Sequence, residues 1–178
     1  DYHNDATGAN GIRVNLGAGS VTGIDAAATV VVGTDTLLSI ESIFGTNSAD
    51  IYDASSFTAT STNGGGTGDQ NDFNEFQGYG GDDTITGNGN TRVSYINASA
   101  GVTVNLATGV ADGDASVGHD TFSGANVNGL SHGIATVRGS NFNDVLTGFN
   151  NTNNSTETFE GRGGDDAING NGGFDRAD

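Results

Sequence analysis

The chain of 178 residues carries 22 Asp and Glu against five Lys and Arg, a formal net charge of −17. This charge argues against nucleic acid, anionic membranes and polyanionic sugars as partners, and it favours cations. Hydrophobic residues make up 33% of the chain, Gly numbers 31, and Cys is absent, so we expect neither a helix bundle, a disulfide framework nor a thiolate metal site. No apolar run approaches the roughly 18 residues of a membrane span, so no membrane insertion is expected.

The predicted elements occur twice in the same order. IRVNLGAG (12–19) recurs as VTVNLATG (102–109), and GTDTL (33–37) recurs as GHDTF (118–122). FGTNSADIYD (44–53) then matches RGSNFNDVLT (138–147), and EFQGYGGDDTITGNGN (75–90) matches TFEGRGGDDAINGNGG (158–173). A repeated order of blocks indicates a repeat architecture. We therefore predict two tandem copies, 1–93 and 94–178.

Each block predicts short strands rather than helices. Apolar residues stand at single positions between polar ones, which places them on the inner side of a strand. No window shows a 3.6-residue apolar period with caps, so helix is nearly excluded. The predicted core comprises Val14, Leu16, Ile51, Ile85, Val104, Leu106, Leu146 and Ile168, with Phe76 and Phe159 stacked inside.

Nonapeptides of the form G-x-x-G-x-D-x-U-x, where U is usually apolar, run through both copies. GYGGDDTIT (78–86), GRGGDDAIN (161–169) and GNGGFDRAD (170–178) fit, and GTNSADIYD (45–53) and GSNFNDVLT (139–147) fit more loosely. These segments resemble the haemolysin-type, or RTX, calcium-binding repeats. The longer blocks resemble tandem modules of large secreted bacterial adhesins and surface proteins. The resemblance implies an all-β, right-handed parallel β-roll or β-solenoid built from the two copies, with several Ca²⁺ ions between its turns.

The resemblance also implies ligands for those ions. Ca²⁺ takes six to eight oxygen ligands, including main-chain carbonyls, so glycine loops and Asp carboxylates of stacked turns would form the cages. The predicted carbonyl ligands are Gly78, Gly80, Gly161, Gly163, Gly170 and Gly172. The predicted carboxylate ligands on one edge are Asp35, Asp50 and Asp83 in the first copy and Asp120, Asp144 and Asp166 in the second.

On the opposite edge we expect Glu157 to pair with Asp175. In the first copy Asn74 and Arg92 stand at the corresponding places, so this site is doubtful there. Asp82 and Asp165, one place before the motif Asp, are expected to face solvent. For every Asp the alternative is an ordinary turn, in which the side chain accepts hydrogen bonds from nearby backbone.

Three classes of function remain open. The first is a calcium-binding structural repeat of a secreted bacterial protein, such as an adhesin stalk, surface layer or extracellular filament, which folds and becomes rigid on binding Ca²⁺. The second is a calcium-binding accessory module of a type I-secreted enzyme or toxin. A β-helix enzyme acting on polysaccharide is the third, and we do not expect it. His3, His119 and His132 form no H-E-x-x-H motif, and no G-x-S-x-G elbow occurs.

The two ends of the chain predict further copies of the repeat. Asp1-Tyr2 corresponds to Ser94-Tyr95, and Arg176–Asp178 repeats Arg92–Ser94. No polar capping sequence is evident, and uncapped strand edges are ready to pair with another chain. We expect head-to-tail copies, either as subunits or in a longer tandem chain. The alternative is an ordinary domain boundary.

Overall fold

The computed structural model describes residues 2, 10–64, 72–151, 153 and 155–178. Asp1 and His3 therefore lie outside the described residues. The described part contains sixteen strands, one α-helix (α1, Ala26–Val32) and a 3₁₀ turn at Ser131–Gly133. The strands are β1 (Ile12–Asn15), β2 (Ser20–Gly23), β3 (Thr34–Thr36), β4 (Ser42–Phe44), β5 (Ile51–Asp53), β6 (Asn74–Gln77), β7 (Thr84–Thr86), β8 (Thr91–Ser94), β9 (Thr103–Asn105), β10 (Val110–Asp112), β11 (His119–Ser123), β12 (Ile134–Arg138), β13 (Val145–Thr147), β14 (Thr156–Glu160), β15 (Ala167–Asn169) and β16 (Phe174–Ala177).

These strands form two sheets. The ten-stranded sheet has the order β15-β13-β9-β10-β11-β7-β5-β1-β2-β3, and the six-stranded sheet has the order β16-β14-β12-β8-β6-β4. From β4 onwards successive strands alternate between the sheets, except that β9, β10 and β11 all lie in the larger one. Every strand pair of the six-stranded sheet is parallel.

The predicted right-handed parallel β-roll or β-solenoid is wrong, because the larger sheet is mixed. Strands β1–β2–β3 and β9–β10–β11 run antiparallel to one another. The reason lies in two tight turns: the side chain of Asn15 accepts the backbone N–H of Ala18, and Gly19 has a φ of 65°. Asn105 and Gly109 (φ 73°) repeat this arrangement. A residue that tolerates positive φ lets the chain fold back beside itself, so the VNL blocks make hairpins.

Helix α1 is a second departure from the expected all-β structure. The side chain of Asp25 accepts the N–H of Ala28 at 2.9 Å, which caps the helix. Ala28 is the one buried residue of α1, so no apolar period marks this helix in the sequence. Among the described residues, no helix is long and apolar enough to cross a membrane.

The core lies between the two sheets and contains most of the predicted residues. Val14, Leu16, Ile85, Val104, Leu106 and Leu146 are buried. The prediction is wrong for Ile51, because the next residue, Tyr52, takes the inward position of β5. It is also wrong for Ile168, which is exposed on the edge strand β15. Phe76 and Phe159 are buried as expected, and the ring of Phe76 stacks on Tyr52 at 4.7 Å between centroids.

The first eight strands and the last eight follow the same plan. Pairs β1·β5, β5·β7 and β6·β8 have counterparts in β9·β13, β13·β15 and β14·β16. The two halves are joined by the parallel pairs β7·β11 and β8·β12, which we call the junction. The predicted division at 93/94 falls within the last strand of the first half and stays a prediction.

Candidate metal centre

Three of the predicted ligands form one buried column. Asp50 and Asp83 directly precede β5 and β7, and Asp120 lies in β11; all three are buried. The backbone N–H of Asp50 donates to Oδ1 of Asp83 at 2.9 Å, and that of Asp83 donates to Oδ1 of Asp120 at 3.0 Å. The N–H of Ile12 donates to Oδ1 of Asp50 at 2.7 Å. Each carboxylate in this first column therefore binds the main chain of the neighbouring strand.

A second column contains Asp144 and Asp166. The N–H of Asp144 donates to Oδ1 of Asp166 at 2.9 Å, and the N–H of Val102 donates to Oδ1 of Asp144 at 2.8 Å. Strands β9 and β10 separate the two columns. Asp120 thus lies beside Asp83 across the junction rather than beside Asp144. Asp35 is exposed in β3 and is separated from β5 by β1 and β2.

The first glycine of each motif is required by the carboxylate five residues later. A Cβ built on Gly78 would overlap Oδ2 of Asp83, and one built on Gly161 would overlap Oδ2 of Asp166. The same holds for Gly45 with Asp50, Gly139 with Asp144 and Gly170 with Asp175. A Cβ built on Gly80 or Gly172 would instead overlap the neighbouring loops at Ala115 and Asn150, whereas one built on Gly163 would lie 3.4 Å from the carbonyl oxygen of Asn141, an ordinary contact. The spacing G-x₄-D is therefore a packing requirement.

Backbone N–H groups donate hydrogen bonds to several carboxylate oxygens of these columns. Oδ2 of Asp50 accepts the N–H of Thr46 at 2.7 Å, and Oδ2 of Asp144 accepts the N–H of Ser140 at 2.7 Å. Burial raises the pKa of Asp50 to about 6, while the N–H groups of Ile12 and Thr46 act to lower it. At these two positions the carboxylate behaves as the ordinary turn residue that the sequence left as the alternative.

Asp83 differs, because its Oδ2 is buried without a hydrogen-bond partner. Burial, followed by the charges of Asp120 and Asp50, raises the pKa of Asp83 far above its usual range. Burial also raises the pKa of Asp120, although the N–H of Asp83 and the hydroxyl of Tyr95, 3.1 Å away, oppose this. The column cannot hold three unpaired negative charges in this environment at low cost.

On the opposite edge, Glu157 of β14 lies in register with Asp175 of β16, as predicted. Glu157 is fully buried and accepts the N–H of Phe149 at 3.0 Å. Burial raises the pKa of Glu157 to about 7, the N–H of Phe149 lowers it, and the charge of Asp175 raises it. Oδ1 of Asp175 and Oδ1 of Asn151 are buried without hydrogen-bond partners. Sequence analysis missed Asn151, whose signal was its place in the Asn-rich loop after β13.

The first half carries a neutral version of this edge. Thr91 lies opposite Asn74 and donates its hydroxyl to Oδ1 of Asn74 at 2.8 Å, and the hydroxyl of Tyr52 donates to the same oxygen at 3.0 Å. The sequence comparison placed Arg92 opposite Asn74. The chain from β14 to β16 is, however, one residue longer than the chain from β6 to β8, which puts Thr91 at this position. Arg92 instead pairs with Glu75. At this edge of the first half Asn74 and Thr91 thus stand in place of the carboxylate pair.

The predicted surface residues contact neighbouring strands and loops at the rim of the fold. Asp82 and Asp165 are exposed, as predicted, and Asp82 accepts the N–H of His119 at 2.9 Å. The ring of His119 is exposed and lies 2.6 Å from Asp112. His132 is half-buried at the 3₁₀ turn. The ring of His119 thus lies at the surface beside Asp112, and its positive charge acts to lower the pKa of Asp120.

The residues fit a bound cation unevenly. Within the described ranges, no three His, Asp or Glu side chains are grouped so as to hold a metal ion. At Asp144 both carboxylate oxygens already accept hydrogen bonds. Glu157 and Asp175 lie in register and provide the carboxylate oxygens that Ca²⁺ prefers, and Oδ1 of Asp175 has no donor. A second oxygen without a donor is the amide Oδ1 of Asn151, whose N–H donates to the carbonyl of Gly172 in the loop before β16. Among the described residues, this pair fits a hard cation better than either carboxylate column does.

No protein-family model matches the chain, and no curated protein matches it. The likeness to RTX repeats therefore remains a resemblance of the nonapeptides, and the side-chain arrangement at Glu157 and Asp175 becomes the main basis for assigning a function.

Proposed function

We propose that the chain is a calcium-binding structural repeat of a secreted bacterial protein, such as an adhesin stalk, a surface layer or an extracellular filament. The observation that supports this most is the buried Glu157 in register with the half-buried Asp175, together with two buried acceptor oxygens that lack donors. Buried charges in proteins are paired or coordinate metals. The net charge of −17 and the nonapeptide pattern support the same conclusion.

Calcium suits the donor set better than a softer metal does. The pair offers carboxylate oxygens, whereas zinc and copper ions prefer thiolate or imidazole ligands. Glu157, Asp175 and Asn151 would hold the ion, and in the first column the unpartnered Oδ2 of Asp83 is the available atom. Bound there, Ca²⁺ supplies positive charge between carboxylates that otherwise repel one another.

Folding is then coupled to calcium concentration. Without the ion, Glu157 and the first column have to be protonated or carry buried charge, which weakens the folded state. Metal binding energy becomes folding energy in such a module. Extracellular calcium modules bind at about 10⁻⁴–10⁻³ M, so the chain would be loaded with metal after export.

Circular dichroism of the purified chain in EGTA and in millimolar CaCl₂ tests this function. We expect CaCl₂ to increase the β-sheet signal and to raise the melting temperature. MgCl₂ at equal concentration serves as the control, because it screens charge equally but demands a stricter octahedral geometry. An identical spectrum and an identical melting temperature in EGTA and CaCl₂ would refute the proposal, and equal effects of the two salts would reduce it to charge screening.

A further inference from the structure

The junction shows how one repeat unit receives the next. In the larger sheet β7 pairs with β11, with Ile85 opposite Phe122; in the smaller sheet β8 pairs with β12, with Val93 opposite Val137. All four side chains are buried. The junction is therefore a two-sheet interface in which parallel strands continue both sheets.

Within the part of the chain that the structure describes, the two ends of the sheets carry the same strands without these partners. β15 and β16 lie at one end of the two sheets, and β3 and β4 lie at the other. They are the counterparts of β7, β8, β11 and β12. Ile168 is 37% exposed while its counterpart Ile85 is 2% exposed, and Ile40 is 40% exposed while its counterpart Ile134 is fully buried. Each end thus exposes apolar side chains that the junction covers.

The end formed by β3 and β4 also repeats the polar contacts of the junction. At the junction, Tyr95 donates its N–H to the carbonyl of Arg138 at 2.8 Å and its hydroxyl to Asp120 at 3.1 Å. At this end, Tyr2 donates its N–H to the carbonyl of Phe44 at 3.1 Å and its hydroxyl to Asp35 at 2.8 Å. The surface formed by β3 and β4 therefore already has the polar contacts of the junction in a single molecule.

We propose that β15 and β16 of one molecule pair in parallel with β3 and β4 of a second copy of this chain, repeating the junction. The backbone N–H of Asp166 would then donate to Asp35, as that of Asp83 donates to Asp120. The two surfaces differ, so the contact is head-to-tail and gives an open filament rather than a closed dimer. Assembly goes beyond the proposed calcium binding, since a single chain could bind the ion and fold without pairing with a second copy.

Sedimentation velocity over a concentration series in CaCl₂ tests the interface. Ile168→Lys places a charge on one surface and Ile40→Lys places one on the other, and charged residues block strand edges. Val145→Lys is the matched control, because Val145 is 46% exposed on β13, which is not an edge strand. We expect wild type and the control to form oligomers that grow with concentration, and each edge variant alone to stay monomeric.

Mixing the two edge variants separates head-to-tail assembly from symmetric edge pairing. Each variant keeps the surface that the other lacks, so an equimolar mixture should form a one-to-one dimer and grow no further. Phe174→Lys, at an exposed site on β16, is a second blocking variant if Ile168→Lys does not fold. A folded wild-type monomer at every concentration would overturn the interface and leave calcium binding untouched. Oligomers of either edge variant alone, or a monomeric mixture, would also overturn it.

Discussion

The buried Glu157 predicts a substitution whose effect changes sign with calcium. Glu157→Gln removes the carboxylate charge and keeps an acceptor oxygen for the N–H of Phe149. In the wild type this N–H donates to Oε2 of Glu157 at 3.0 Å. In EGTA the variant should be more stable than wild type, because it no longer buries a charge next to Asp175. In CaCl₂ it should be less stable, because it has lost a charged ligand.

The size of the metal-free effect follows from the pKa. Burial raises the folded-state pKa of Glu157 from 4.5 to about 7, so its ionisation destabilises the folded protein as pH rises from about 4.5 through about 7. At pH 8 this cost is about 3 kcal/mol, because a tenfold change in the acid dissociation constant corresponds to about 1.4 kcal/mol. For a chain of this length it corresponds to a melting temperature roughly 6–12 °C higher in the variant. At pH 4.5 the advantage should vanish.

Urea titrations followed by circular dichroism, at pH 8 and pH 4.5 and in EGTA and in CaCl₂, measure the difference in free energy of unfolding between the variant and wild type. If wild type is already unfolded in EGTA at pH 8, the gain appears as a recovered β-sheet signal. Glu160→Gln is the control, because it makes the same change on the same strand but removes a partly exposed carboxylate that pairs with Arg138 and Arg92. It should be slightly destabilising with or without calcium. A Glu157→Gln variant that is less stable than wild type in EGTA at pH 8 would refute the reasoning.

Two further predictions compare neighbours within one nonapeptide. Gly161→Ala should lower the free energy of unfolding by about 1–3 kcal/mol through overpacking against Asp166, whereas Gly163→Ala should change it by less than about 0.5 kcal/mol; equal urea midpoints would contradict the packing role of the first glycine. Asp166→Ala leaves the N–H of Asp144 unsatisfied and should cost about 1–3 kcal/mol, whereas Asp165→Ala removes an exposed charge and should be nearly neutral in urea and in calcium titrations. Equal effects of these two Asp variants would mean that the register is wrong by one residue.

The local environments of several residues could be predicted from the sequence. The period of the nonapeptide placed Asp83 and Asp166 at corresponding positions, and the structure puts both in carboxylate columns. It also put Glu157 opposite Asp175, because one motif fixes the register of the next strand. Alternation correctly predicted the burial of Ile85, since a strand has only two faces.

What the sequence did not predict depends on the path of the chain between the motifs. The hairpins after Asn15 and Asn105 bring extra strands into the larger sheet, which moves Asp120 beside Asp83 and leaves Asp35 at the far edge. A comparison of the two repeats cannot detect this, because it aligns one copy with the other and carries no information on the direction in which each strand runs. The place of Thr91 was missed for a simpler reason, since a single extra residue before β16 changes the strand register.

The hydrogen bonds of both carboxylate columns run in one direction along the chain, from an earlier N–H to a later Asp. In each link of the first column the acceptor is an Asp that comes 38, 33 or 37 residues after the N–H that it binds. In the second column the separations are 42 and 22 residues. The entropic cost of closing a loop rises only slowly with its length, and each strand pairs only with its neighbours in the sheet. When the N-terminus emerges first, each strand of a column can therefore be hydrogen-bonded by the next Asp along the chain, without waiting for more distant residues.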